Sequence, residues 1–172
     1  AAPRMTLYAE DFAAARAALQ KAGWEENARY AVFHAGSSSV SKCWPREYFL
    51  ELARVLAAED PELKIALVGD ASTRETNAWL RQAIPGAADL TGLTTLAALG
   101  ALCREAEVVI SNDSGPAHIA AASGARVVSL FGRKEKGLSE RRWAPLGPRA
   151  IALRKDVGCV VCLADRCPIG FE

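Results

Sequence analysis

Long apolar runs are missing from this chain of 172 residues. No stretch reaches the ~18 consecutive apolar residues of a transmembrane helix, so none is expected. An excess of either charge is missing too. Twenty-one basic residues stand against 20 acidic ones, a formal net charge of +1. A general nucleic-acid binder usually carries a strong basic surplus, so no nucleic-acid partner is expected. The cysteines lack an even count. Five of them fit a reducing cytosol better than a disulfide scaffold. The opening residues, AAPRMTLYAEDF, have no charged start followed by an apolar core and do not read as a secretory signal. They lack an initial methionine and read as a linker from inside a larger protein. Internal repeats and low-complexity segments are absent. So are the Walker A pattern and G-x-G-x-x-G, two glycine signatures of phosphate binding.

What is present is a globular composition, 51% apolar, long enough for one domain with a real core. Helices are expected over 10–22, 45–60, 72–84, 94–106 and 114–124. Gly23 and Gly124 act as stops, Pro45 as a start, and Ser72 with Glu75 as a capping box. Strands are expected over 29–35, 63–70, 87–90, 107–111, 126–132 and 149–154. Several are near-continuous apolar runs, the mark of strands covered on both faces. Residues 133–148 read as an irregular charged connection. The alternation predicts an α/β fold with a doubly wound, parallel, Rossmann-like sheet in the order 3-2-1-4-5-6. Residues 1–28 would be linker and helix, and 29–172 the domain proper.

In such a sheet ligands bind beyond the carboxyl ends of the strands, where the order reverses. The reversal predicted here lies between strands one and four. The loops at that point are HAGSSSVSKCWP (34–45) and SNDSGPAH (111–118), the two most unusual loops of the sequence. In the first, Gly36 would let backbone approach a ligand, Ser37, Ser38 and Ser39 offer donors, and Lys42 offers a charge. A polar turn with a solvated lysine is the plain alternative. In the second, Asp113 or Ser114 is a natural N-cap and Pro116 suits a first turn. A capped helix explains much of it, yet free amides at a helix start also attract anions. His118 in that first turn is either structural or part of the crevice. Asp70, ending the second strand, is placed to take ribose hydroxyls, with Glu75 as competitor. Leu93, after the third strand, is placed against a base or simply in a threonine-capped helix start.

Together the stretches FHAGSSSVSKCWPREYFLELARVL, ALVGD and TGLTTLAALGALCREAEVVISNDSGPAHIAAASGARVVSLFG resemble the C-terminal half of glycosyltransferase family 9, the ADP-heptose:lipopolysaccharide heptosyltransferases. The resemblance covers roughly residues 30–170, and a late CPIG extends it. It implies one half of a GT-B fold, two Rossmann-like domains facing a cleft. Ser38, Ser39 and Lys42 would meet the donor's phosphates, with Ser37 in the same loop. Asp113, Ser114 and Gly115 would hold diphosphate and sugar, with His118 close behind. Asp70 or Glu75 would take the ribose, and Leu93 would lie near adenine. The implied reaction is an inverting displacement without metal or other cofactor. Lys42 and a helix dipole would stabilise the departing ADP. The general base would be an aspartate of an N-terminal acceptor domain that this stretch does not contain. The stretch alone would then bind an ADP-sugar weakly and transfer nothing to the lipopolysaccharide core. The implied location is cytoplasmic, with a peripheral seat at the inner face of the inner membrane left open. A nucleotide-binding or docking module without catalysis is the alternative.

Two features fit the resemblance less well. FGRKEKGLSERRW stands where family members commonly have a shorter, proline-bearing turn. Cys159, Cys162 and Cys167 form C-x2-C-x4-C, which could bind zinc or an iron–sulfur centre but is one ligand short. Thiols in a packed terminal segment are the favoured account, and no metal is expected. Cys43 and Cys103 read as helix-start and core residues, and Trp44 and Trp143 as packing residues flanking the crevice loops.

Overall fold

Alternation along each strand divides the apolar residues between two cores. The structure is a computed structural model and describes residues 2–135, 137–155 and 158. In β1 (Tyr30–His34), Tyr30 and Val32 face one core, while Ala31 and Phe33 face the other. The same two-fold period sorts β2 (Lys64–Leu67) and β4 (Val108–Asn112). With β3 (Ala88–Asp89), β5 (Val127–Leu130) and β6 (Ala150–Leu153) they form a sheet of six parallel strands among the described residues. Its order is β3-β2-β1-β4-β5-β6, as the alternation of elements predicts.

Helices cover both faces. On one side α1 (Ala9–Lys21), α4 (Leu96–Glu105) and α5 (Gly115–Ser123) supply Ala15, Leu19, Leu102, Ala117 and Ala120 to the first core. On the other, α2 (Arg46–Glu59) and α3 (Arg74–Ala83) supply Phe49, Ala53 and Leu80 to the second. Burying each large side chain contributes about 1.5–3 kcal/mol. The alanine-rich surfaces of α4 and α5 admit close neighbours. At Gly100 a Cβ would come within 2.8 Å of Met5 Sδ, and Met5 donates its backbone N–H to Ala122 O at 2.8 Å. The segment before α1 therefore lies across these helices. None of the described helices is long and apolar enough to cross a membrane.

The expected punctuation is mostly in place. Gly124 ends α5 in the left-handed region at φ +88°, and Pro45 precedes α2. The capping box at α3 is not. Ser72 turns back to Asp70, which caps a short 3-10 turn at Ala71–Thr73, and α3 starts only at Arg74. Asp70 follows the strand more closely than Glu75 could, so the local Asx turn wins. The 133–148 connection is not wholly irregular either, because it contains the one-turn helix α6 (Glu140–Trp143).

Candidate active site

The sheet order reverses at β1 and β4, and the first loop past β1 meets the first loop past β4. Lys42, in a 3-10 turn at Val40–Lys42, places Nζ 2.9 Å from Asp113 Oδ2. The two side chains are only 19% and 7% exposed, so this ion pair is largely shielded from water. Ser37 Oγ donates to Asp113 O at 3.1 Å. Asn112, fully buried at the end of β4, donates to Ala35 O at 2.8 Å and accepts from the Trp44 N–H at 2.9 Å. One amide side chain thus fixes both ends of the serine loop to β4. Asn112 had no role in the sequence reading. Its signal was a polar residue closing an apolar strand.

Ser114 occupies the N-cap position of α5 but its hydroxyl does not cap the helix. It turns back towards the sheet, 3.0 Å from Asn112 O, 3.1 Å from Ser111 Oγ and 3.1 Å from His34 Nδ1. No side-chain hydrogen bond therefore caps α5, and its first backbone amides carry the positive end of the helix dipole without a side-chain acceptor. His34 is the other residue the sequence reading passed over. It is buried, and desolvation lowers its pKa to about 4, with Asp70 pulling weakly the other way. Its signal was a histidine in the last position of a buried strand. Gly115 has nothing within 4 Å of its notional Cβ. His118 is exposed on the same first turn, as is Ser38 on the serine loop.

A further residue comes from the connection after β5. Arg133 Nε donates to Ser41 Oγ at 3.0 Å, and Nη2 donates both to Ser41 Oγ and, at 3.1 Å, to Ser39 Oγ. The two hydroxyls lie 3.0 Å apart. Its signal was positional, a cation just past the carboxyl end of a strand next to β4.

The ribose and base candidates lie past β2 and β3. Asp70 Oδ1 accepts from the Ser72 hydroxyl at 2.6 Å and its N–H at 2.9 Å, which lowers the carboxyl pKa. Glu75 and Leu93 are exposed, and the hydrogen bonds of the Asp70 carboxylate go to Ser72 and not to the Lys42–Asp113 pair. Gly36 has a different reason from the one expected. A Cβ there would come within 2.2 Å of Thr73 Cγ2, and one at Gly69 within 2.0 Å of Thr73 Oγ1. The close approach seen is to Thr73, packed between the loops after β1 and β2. Asn77 secures these loops from below by donating to Thr91 Oγ1 at 2.8 Å and Val68 O at 3.2 Å.

Lys42 also lines a cleft of about 530 Å³ with Trp44, Tyr48, Leu130, Phe131 and Arg154. Trp44 stacks on Tyr48 and meets Phe49 edge-on, so it packs as expected. Trp143 does not. It is 45% exposed, with its indole N–H on Gly137 O and Arg142 against its ring. Cys103 is core, and Cys43 is half-buried with its thiol pKa raised by desolvation. Cys159, Cys162 and Cys167 lie outside the described residues. Among the described residues no three metal-ligating side chains come together.

This geometry can be set beside known proteins. The model of glycosyltransferase family 9 (heptosyltransferase) matches residues 2–171. The chain belongs to glycosyltransferase family 9. Within the family it is 30% identical over 148 residues to lipopolysaccharide heptosyltransferase 1 of Pseudomonas aeruginosa, covering 86% of this chain and 40% of that protein. It is 33% identical over 119 residues to lipopolysaccharide heptosyltransferase 3 of Escherichia coli, covering 68% and 34%. The family 9 chain thus spans well under half the length of these relatives. Its fold matches that of E. coli ADP-heptose lps heptosyltransferase II with a TM-score of 0.73 at 22% identity, over 91% of this chain and 46% of that one. E. coli heptosyltransferase WaaC with ADP follows at 0.64 and 24%, over 83% and 42%.

Proposed function

We propose that this chain is the donor-binding part of an inverting glycosyltransferase that moves heptose, or a related sugar, from an ADP-sugar to the lipopolysaccharide core. The observation that carries the reading is the Lys42–Asp113 pair at the reversal of the strand order, beside an α5 start whose serine does not cap it. The names of the relatives support the donor and the pathway class: they are lipopolysaccharide heptosyltransferases, and one similar structure holds ADP.

In this reading Lys42 and the α5 amides receive the diphosphate, with Ser37, Ser38 and Ser39 as further donors. Asp113 holds Lys42 in place before the donor arrives, so little reorganisation is needed when charge builds on the leaving group. Asp70 or Glu75 takes the ribose, and Leu93 lies against adenine. An acceptor hydroxyl attacks the anomeric carbon, the bond from that carbon to the ADP oxygen breaks, and the hydroxyl proton passes to a base. That base is assigned to an acceptor-binding domain outside this stretch, joined through the segment before α1, since α1 itself packs into the core of this domain. In this reading the enzyme is cytoplasmic, with a peripheral seat at the inner face of the inner membrane left open.

Calorimetric titration with ADP tests the reading. Measurable binding is expected, and Lys42→Ala should weaken it by about 1–3 kcal/mol, the scale of a charge-assisted hydrogen bond. No heat from millimolar ADP, with unshifted amide resonances, would refute it.

A further inference from the structure

We infer that Arg133 is a positioning residue for the diphosphate seat, holding the serine loop in the shape from which Lys42 reaches its partner. The inference rests on the donor-binding reading. Arg133 comes from the loop after β5, yet its guanidinium crosses to the loop after β1 and donates to both Ser39 and Ser41. Ser39 immediately precedes the short turn that carries Lys42, and Ser41 lies within it. Ser39 O accepts the Lys42 N–H at 3.0 Å, and Ser41 is only 5% exposed. Force therefore passes from Arg133 through Ser39 and Ser41 to the Lys42 backbone, and from Lys42 Nζ to Asp113.

The chemistry suits arginine. A guanidinium only donates, and its planar fork can engage two hydroxyls at a fixed angle, whereas a lysine ammonium is a point charge on a flexible stem. The fork therefore supplies from the β5 side an order that the serine-rich loop, with its many small polar residues, lacks by itself.

The test titrates the full-length protein with ADP and with adenosine, in wild type, Arg133→Met, Arg133→Lys, Ser41→Ala and the Ser41→Ala/Arg133→Met double variant. Arg133→Met should bind ADP about ten- to a hundredfold more weakly, the range of hydrogen bonds to a charged group, while adenosine binding stays unchanged. Arg133→Lys should not restore ADP binding. Ser41→Ala should shift ADP affinity in the same direction, and the double variant should be no weaker than Arg133→Met, because both act through one network. Equal losses of ADP and adenosine would mark a general structural defect and overturn the inference. Full rescue by lysine with a silent Ser41→Ala would overturn it in favour of charge alone. Unchanged ADP binding in Arg133→Met would overturn it while leaving the donor-binding reading intact. A wild type that does not bind ADP would overturn both. Should Arg133→Met fail to fold, Ser41→Ala alone decides.

Discussion

His34 shows how much one buried side chain can tie together. Its Nδ1 sits between Ser111 and Ser114, and Ser114 is thereby drawn off the helix it would otherwise cap. Burial holds its pKa near 4 against an ordinary value of about 6.5. The sign follows from proton binding. Between those two values the unfolded chain takes up a proton that the native state refuses, so stability falls as pH drops from 6.5 towards 4 and is insensitive to His34 above 6.5. The full loss is about 3 kcal/mol if no other group compensates. Urea unfolding midpoints at pH 5 and 7.5 should therefore differ in the wild type. The difference should shrink in His34→Asn, which keeps a polar atom near the Nδ1 position but cannot ionise. An identical pH dependence in that variant would show that His34 is not the titrating group.

The loops after β1 and β2 are locked by Thr73, and this contact yields a prediction about how elements fit. Gly36→Ala would drive a methyl against Thr73 Cγ2. The overpacking should cost about 1–3 kcal/mol, read as a lowered midpoint of thermal or chemical unfolding. Thr73→Ser removes that methyl and should recover part of the loss in the double variant. Simple additivity of the two substitutions would mean that they do not touch. The same contact shows what a single sequence can reveal. Apolar runs such as KIALVGD and EVVIS, separated by helix punctuation, were enough to place the strands, and their order follows from doubly wound topology. The order in turn put Lys42 and Asp113 at one point, because both sit just past the carboxyl end of neighbouring strands. Thr73 against Gly36, Arg133 on Ser41 and Asn112 on Trp44 join residues 37, 92 and 68 positions apart. No local pattern encodes such pairs. Thr73, Ser41, Arg133 and Asn112 therefore carry no role in the sequence reading. The capping box failed for a related reason: Ser72 and Glu75 have the right spacing, but Asp70 competes for Ser72 from the strand end.

The proposed donor seat draws on loops after β1, β4 and β5 of one sheet, so a bound nucleotide would tie together elements that are distant in the chain. Ligand that binds only the folded form adds RT ln(1 + [L]/Kd) to its stability, about 2.7 kcal/mol at a hundredfold excess over Kd. For a chain of this length that corresponds to a rise of about 5–10 °C in the melting temperature. ADP should produce such a rise in residues 1–172 expressed alone. Arg133→Met and Lys42→Ala should each reduce it at the same ADP concentration, because each raises Kd. The same material should transfer no sugar from an ADP-sugar donor to a lipopolysaccharide-core acceptor. In the proposed mechanism the group that takes the hydroxyl proton lies outside it, and the Asp113 carboxylate is already committed to Lys42. Transfer by this stretch alone would place the base among its own residues. An ADP-induced rise that survives Lys42→Ala undiminished would move the nucleotide to another part of the sheet edge.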